Sequence, residues 1–182
     1  MNVQPSERQR LFFALWPDAA AARELQGLQE VLSGRKTHIE DFHLTLAFLG
    51  EQPDEAMPAL KEILFGLSLP EIPCLLDTYG CFSRLKLVWA GMSAPPQSLF
   101  EVRRQLLGKL GEESIAFPQE AAFRPHITLA RKVNGISEWS MKPIRCASLS
   151  LVLARSVKAP PGSPHYRILA SRQCPSQSGS RS

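Results

Sequence analysis

One short pattern occurs twice in this chain, as HLTL at residues 43–46 and as HITL at residues 126–129. Side chains of a β-strand point alternately to the two faces of a sheet, so each copy would place its His and Thr on one face and its aliphatic residues on the other. The aliphatic face can be buried while the polar face lines a pocket. Two such strands facing each other would gather two imidazoles and two hydroxyls around a single site.

Each copy follows the same succession of predicted elements. Before the first copy, the apolar run Leu11–Trp16 predicts a strand, and Asp18 is suited to cap a helix that ends near Gly34. A polar loop at residues 35–41 then leads to the strand Phe42–Leu49, which Gly50 is expected to terminate.

The second half of the chain repeats this order. Leu85–Met92 predicts a strand, and Ser98 with Glu101 forms the S-x-x-E pattern of a capping box at the start of a helix. Gly111 is expected to end that helix, and a loop leads to the strand Phe123–Ala130. A repeat of this kind predicts two similar lobes related by an approximate two-fold axis.

The remaining segments complete an α+β architecture. They predict a helix at Asp54–Leu67, a strand at Pro73–Phe82, and a late pair of strands at Ala147–Ala154 and Tyr166–Ala170. We therefore expect a bilobal duplicated fold in which two antiparallel or mixed β-sheets face a central cleft and the helices pack outside. Residues 1–175 would form this single domain, and the Ser-rich residues 176–182 are expected to be a disordered tail.

Composition predicts a soluble globular protein. The 182 residues carry a net charge of +4, which is compatible with an anionic partner such as RNA but is weak support on its own. No stretch approaches the roughly 18 apolar residues of a membrane span, and the apolar run near the start is too short for a secretory signal. The four cysteines have no metal-binding spacing and imply no oxidising compartment. We expect a monomeric, cytoplasmic protein.

The paired histidines suit proton transfer at phosphorus. Near neutral pH one imidazole of a pair can be neutral while the other is protonated. One of His43 and His126 could then take a proton from an attacking hydroxyl or water while the other gives a proton to the leaving oxygen. The hydroxyls of Thr45 and Thr128 could donate hydrogen bonds to non-bridging phosphate oxygens, where charge develops.

A metal site is the main competing interpretation of the two histidines. Two imidazoles with two hydroxyls are a poor ligand set for zinc, and Asp41, which could project the same way, is expected to end the preceding loop. We therefore expect no metal and no cofactor. His38 and His165 fall in loop-like surroundings and are expected at the surface.

Arg131 follows the second motif and is the best placed cation for a phosphate clamp. In a regular strand it would face away from His126, so it could reach the site only if the strand were twisted or bulged at its end. Arg124 has the same ambiguity, and Pro125 holds it in an extended conformation.

The two His-x-Thr-x motifs resemble those of the two-histidine phosphoesterase superfamily. The flanking sequences RLFFALWPD, DFHLTLAFLG, LVWAGM, FRPHITLAR and HYRIL narrow the resemblance to the LigT-like RNA 2′,3′-cyclic phosphodiesterases of bacteria and archaea. These segments span residues 10–169 and occur in the family's order.

The resemblance implies hydrolysis of a terminal 2′,3′-cyclic phosphate to a 2′-phosphate without a metal, and also reversible 2′–5′ RNA ligation. It implies His43 as the proton donor to the departing O3′, His126 as the base that activates water, and Thr45, Thr128 and Arg131 as phosphate ligands. The partner would be an RNA with a 2′,3′-cyclic phosphate end, for example a tRNA fragment. Two alternatives stay open, a non-catalytic RNA-end binding module and a phosphodiesterase for a small cyclic nucleotide.

Overall fold

The computed structural model describes residues 7–120, 122–134 and 140–176. The strands are β1 Arg8–Pro17, β2 Arg35–Lys36, β3 Leu44–Pro53, β4 Cys74–Leu76, β5 Thr78–Phe82, β6 Leu87–Gly91, β7 His126–Arg131, β8 Ile144–Cys146, β9 Leu149–Ser156 and β10 Tyr166–Gln173. The α-helices are α1 Ala19–Leu28, α2 Met57–Gly66 and α3 Gln97–Glu112. Short 3₁₀ turns occur at Gln29–Val31, Ile39–Asp41, Asp54–Ala56 and Ser83–Leu85. Residues 177–182 of the expected tail lie outside the described residues.

Both motif strands belong to one large antiparallel sheet. Its strand order is β10-β9-β1-β3-β7-β6-β5, with β2 beside β7, and β4 pairs with β8 in a separate ribbon. The α+β class is confirmed, but the expected two sheets facing each other are replaced by this continuous sheet. The two halves are joined between β3 and β7 by one residue pair, Leu44 with Ile127.

The helices cover one face of this sheet. Leu11, Phe13 and Leu15 of β1 point to that face and are buried in the main core, because the residues of an inner strand alternate between faces. The buried helix positions join the same core: Ala21 and Leu25 of α1, Leu60 and Leu64 of α2, and Leu99, Val102, Leu106 and Leu110 of α3. A smaller apolar cluster around Phe12 and Ala14 forms on the opposite face, which the helices leave open.

Helix α1 begins where the sequence predicts. The Asp18 carboxylate accepts hydrogen bonds from the backbone N–H groups of Ala20 and Ala21, at 2.9 and 3.0 Å. Its other oxygen accepts one from the N–H of Ser148, 3.1 Å away, so the cap also fixes the chain at the start of β9. These hydrogen bonds favour the ionised form and hold the pKa of Asp18 below its usual range, although burial opposes them.

The predicted start and end of α3 are wrong. The helix begins at Gln97 with Pro96 at the N-cap, and Ser98 lies inside the first turn, where its hydroxyl is buried without a partner among the described residues. The helix continues past Gly111 and stops beside Ser114, whose φ of 54° is left-handed. A capping-box pattern therefore marks the right region here but not the right residue.

Two strand boundaries also differ from expectation. Gly50 has a φ of 68°, yet β3 continues through it to Pro53, because a bulge at Leu49 and Gly50 keeps the strand paired with β1. The predicted strand Pro73–Phe82 is two strands in different sheets, with β4 pairing β8 and β5 pairing β6. The late hairpin is confirmed, since β10 pairs with β9.

The four cysteines are free. Cys74 and Cys146 lie opposite each other in the β4–β8 ribbon, with their Sγ atoms 3.3 Å apart. None of the helices in the described parts of the chain is long and apolar enough to cross a membrane.

Gly34 is the glycine whose backbone the fold constrains most directly. Its φ is 84°, and a methyl group there would lie 2.5 Å from the backbone oxygen of Arg131. We expect Gly34→Ala to destabilise the protein by about 1–3 kcal/mol, because it combines a left-handed backbone with a clash. Gly27→Ala is the matched control, since Gly27 lies in α1 with open space around it, and should stabilise by about 0.5–1 kcal/mol. Urea unfolding of both variants tests this, and equal stabilities would contradict it.

Candidate active site

The register between the two motif strands sets the geometry of the site. With Leu44 of β3 paired to Ile127 of β7 in an antiparallel ladder, the His of each motif lies opposite the Thr of the other. The two histidines are then diagonal neighbours, which typically lie about 7–8 Å apart. Leu44 and Ile127 are buried in the helix-side core, so the two His and two Thr share the open face.

Each imidazole is held by an equivalent hydrogen bond, from its Nδ1 atom to the backbone oxygen of the residue two positions before it. The Nδ1 atom of His43 lies 2.6 Å from the backbone oxygen of Asp41, and Nδ1 of His126 lies 2.7 Å from that of Arg124. A carbonyl oxygen can only accept, so Nδ1 of each ring carries the hydrogen. Nε2 is therefore the nitrogen left for a ligand in both halves of the site. The sequence contains no signal for this second contact beyond the position two residues before each His.

Aromatic rings enclose His43. Its imidazole is stacked on the indole of Trp16, with ring centroids 4.9 Å apart and an interplanar angle of 17°. Phe12 lies 5.0 Å away on the same strand as Trp16, and Tyr166 of β10 presents its edge or face at 5.0 Å and 85°. Trp16 is itself fixed by donating its indole N–H to the backbone oxygen of Glu40, 2.9 Å away. This cage was not predicted from the sequence.

His126 has a corresponding pair of aromatic neighbours. Phe82 meets its ring at 5.1 Å and 86°, and Trp89 lies 6.3 Å away. Trp89 is on β6, the strand beside β7, just as Trp16 is on β1, the strand beside β3. Gly80 makes room for this indole, because a methyl group at that position would overlap the ring.

Each motif strand has a bulge directly after its Thr. In β3, Ala14 pairs with Thr45 and Phe13 with Ala47, which leaves Leu46 as the extra residue. In β7, Trp89 pairs with Thr128 and Val88 with Ala130, which leaves Leu129 as the extra residue. The repeat thus extends to HLTLAF and HITLAR, in which the bulged Leu is a shared position.

The second bulge brings Arg131 to the face of the site. Beyond an extra residue the alternation of a strand is reversed, so Arg131 lies on the same face as Thr128 instead of the opposite one. Its charge helps lower the pKa of both His43 and His126, although burial is the largest cause in each case. Arg124 is exposed, and its described contribution is the backbone oxygen that accepts from His126.

Burial favours the neutral form of both imidazoles. Loss of hydration lowers the pKa of His43 to about 4, against the hydrogen bond and charge of Asp41, which raise it. Burial likewise lowers the pKa of His126 below its ordinary value, and the hydrogen bond to the oxygen of Arg124 opposes this. In the free protein both rings are therefore neutral at pH 7.

Asp41 joins the loop before β3 to the start of β10. Its buried carboxylate accepts hydrogen bonds from the backbone N–H groups of His165 at 2.8 Å and Tyr166 at 3.3 Å, and the ring of His165 lies 3.6 Å away. His38 accepts from the N–H of Glu40 at the start of a 3₁₀ turn, and both His38 and His165 are partly exposed. Over the described ranges, no three His, Cys, Asp or Glu side chains are grouped to hold a metal ion.

The chain belongs to the 2′-5′ RNA ligase superfamily, whose family model matches residues 16–145. It is 34% identical over 133 residues to the RNA 2′,3′-cyclic phosphodiesterase of Escherichia coli K12, covering 71% of this chain and 75% of that protein. It is 30% identical over 129 residues to the protein of the same name from Methanocaldococcus jannaschii, covering 67% and 70%. The resemblance indicated by the motifs is thus confirmed.

Solved structures of Escherichia coli LigT have the same fold. The complex with 3′-AMP superposes with a TM-score of 0.80 at 28% identity, covering 92% of this chain and 99% of that one. The complex with phosphate superposes with a TM-score of 0.77 at 28% identity, covering 93% and 99%.

The charge of Arg131 provides a direct test of its position. Arg131→Gln should raise the pKa of both His43 and His126, because a cation on the site face disfavours protonation of either ring. Ring-proton NMR titration measures both values. Arg104→Gln, on the exposed side of α3, is the control and should leave them unchanged. If neither pKa rises in the Arg131 variant, its guanidinium does not face the site.

Proposed function

We propose that this protein hydrolyses RNA 2′,3′-cyclic phosphate ends to 2′-phosphates by general acid–base catalysis, without a metal. The observation that carries the proposal is the diagonal placement of His43 and His126 on one open sheet face, each with Nδ1 occupied and Nε2 available. Membership of the superfamily and the names of the relatives support the same reaction.

The reaction is an in-line displacement at phosphorus. Nε2 of His126 accepts a proton from water as the water oxygen attacks, and the P–O3′ bond breaks on the opposite side. Protonated His43 gives its Nε2 proton to the departing O3′, which leaves a 2′-phosphate and a 3′-hydroxyl. With a 5′-hydroxyl in place of water as the nucleophile, the same proton transfers would join two RNA ends through a 2′–5′ bond, and the reverse transfers would cleave that bond again.

Three side chains are proposed to bind the phosphate. The hydroxyls of Thr45 and Thr128 lie on the face that carries both imidazoles and would donate to the non-bridging oxygens, whose negative charge grows as the nucleophile adds. Arg131 would add a charge-assisted hydrogen bond from the same face.

The proton that His43 donates must arrive with the substrate or shortly before it. The ring is neutral in the free protein at pH 7 because its aromatic surroundings exclude water. A cyclic phosphate carries one negative charge, and placing that charge beside the ring favours the imidazolium. Substrate binding would therefore raise the pKa of the group that acts as the acid.

We further propose that a single copy of the chain acts alone in the cytoplasm. One copy carries both histidines, both threonines and Arg131, so the reaction needs no group from a second copy. The free thiols of Cys74 and Cys146, only 3.3 Å apart, fit a reducing compartment.

Replacing either histidine tests the assignment of roles. His43→Ala and His126→Ala should each lower kcat on a cyclic-phosphate oligonucleotide by about 10²–10⁴, the usual contribution of a general acid or base. Activity of the wild type should be unaffected by EDTA. Circular dichroism and thermal unfolding of each variant serve as the check on folding. Full activity in either folded variant would refute its role, and binding without turnover by the wild type would favour the non-catalytic alternative.

The pH dependence tests the electrostatics. Because burial lowers both histidine pKa values, the reactive state with His43 protonated and His126 neutral is most populated in the free enzyme below pH 6.5. A plot of kcat/KM against pH should thus be bell-shaped with its maximum on the acid side of 6.5. The kcat profile should be displaced to higher pH, since bound phosphate stabilises the imidazolium. A kcat/KM maximum above pH 7 would contradict the sign of these shifts.

A further inference from the structure

A basic groove opens beside the site. It has a volume of about 740 Å³ and runs between the end of α1, the segment that contains β2, and the loop before β10. A smaller pocket of about 100 Å³ shares five of its lining residues and extends to Arg131 and Tyr166, next to His43. The two spaces therefore adjoin each other, and the smaller one lies on the side of the site. We call the pair the β2 groove.

The β2 groove carries positive charge without matching carboxylates. Arg23, Arg35 and Lys36 line it and are exposed, against two acidic side chains, the exposed Glu30 and the buried Asp41. Among the residues that the structure describes, no carboxylate oxygen lies within 4.0 Å of any of these three cations. Unpaired cations along a groove attract a chain of negative charges.

Arg35 has a second unusual feature, its position opposite Arg131. The two residues are direct partners in the β2–β7 ladder, so both side chains leave the sheet on the same face. Like charges placed opposite each other on neighbouring strands are destabilising. An anion bound between or along them would relieve that repulsion, and the face concerned is the one that carries His43 and His126.

The chain holds β2 in this position by several specific contacts. The buried Gln29 donates from Nε2 to the backbone oxygens of Thr37, at 2.8 Å, and Leu129, at 2.6 Å. The N–H of Thr37 donates to the same oxygen of Leu129, which is the bulged residue of β7. Gly34 packs against the backbone of Arg131 and Lys132. These contacts therefore fix the backbone that carries the cations of β2 beside the site.

We propose that the β2 groove binds the single-stranded RNA on the 5′ side of the cyclic end, with Arg35 and Lys36 contacting its phosphodiesters. This inference rests on the proposed function and assigns the surface that holds the RNA strand beyond its cyclic end. A terminal nucleotide whose phosphate lies between the imidazoles is continued by the chain only through its 5′ oxygen. The next phosphates then need cations close to, but outside, the catalytic pair, and Arg35 and Lys36 occupy that place.

The test compares two substrates that differ only in what the groove would bind. One is cytidine 2′,3′-cyclic phosphate, and the other is an octanucleotide ending in the same cyclic nucleotide. The double variant Arg35→Gln, Lys36→Gln is compared with the wild type and with a matched control, Lys61→Gln, Arg104→Gln. Both control residues are exposed cations on α2 and α3, the helices on the opposite face of the sheet. Thermal unfolding confirms that each variant is folded.

The groove variant should lose about tenfold to a hundredfold in kcat/KM on the octanucleotide and stay within about twofold on the mononucleotide. The negative slope of log kcat/KM against log salt for the octanucleotide should become less steep by about 1.4, as expected for two lost phosphate contacts on a single strand. The control variant should match the wild type on both substrates.

Other outcomes separate the two proposals. If the wild type turns over neither substrate, the proposed function fails, whatever the groove does. If it turns over both and the groove variant loses nothing on the octanucleotide, only the groove inference is overturned. An equal loss on both substrates also overturns it, because Arg35 and Lys36 would then act on the cyclic phosphate itself and not on the strand beyond it.

Discussion

The whole site depends on one antiparallel contact, the pair of Leu44 with Ile127. These residues are buried in the core beneath the sheet, and their burial holds together the two strands that carry the motifs, which form no other residue pair with each other over the described residues. The same register fixes each imidazole opposite the other strand's hydroxyl on the open face. A slip of one residue in the register would turn one histidine into the core and its aliphatic neighbour into the site. Packing of the aliphatic residues on one face therefore fixes the positions of the histidines on the other.

The bulges after Thr45 and Thr128 show how a repeated sequence can place unlike residues at one position. Both bulges reverse the alternation, so Phe48 in the first half and Arg131 in the second come to the open face. Phe48 packs with the Phe12 cluster and lies beneath the guanidinium of Arg10, 4.9 Å from its ring centroid, whereas Arg131 is exposed. The duplicated backbone is thus kept while one half becomes apolar and the other cationic.

Structure that depends on residues close together in the sequence was predictable, and pairing between distant segments was not. The Asp18 cap and the hairpin of β9 and β10 depend on neighbouring residues, and both were predicted correctly. The continuation of β3 through Gly50 and the joining of both halves in one sheet depend on partners far along the chain. The regular alternation of strand side chains placed Arg131 on the wrong face. The bulge at Leu129 could not be predicted, because its own residues do not indicate it. The backbone oxygens that accept hydrogen bonds from the two imidazoles could likewise not be predicted from the motif.

The two histidines sit in related but unequal surroundings, and this inequality bears on how two identical groups could divide the work. His43 is enclosed by the rings of Phe12, Trp16 and Tyr166, while His126 meets Phe82 and Trp89. A ring that water barely reaches holds a proton only while an anion is close, and it becomes a strong acid as that anion's charge moves to a leaving oxygen. The more enclosed histidine is then suited to donate, and the less enclosed one to accept. Asp41 supports this division from behind, because its carbonyl orients His43 while its carboxylate fixes the backbone of Tyr166, one wall of the cage.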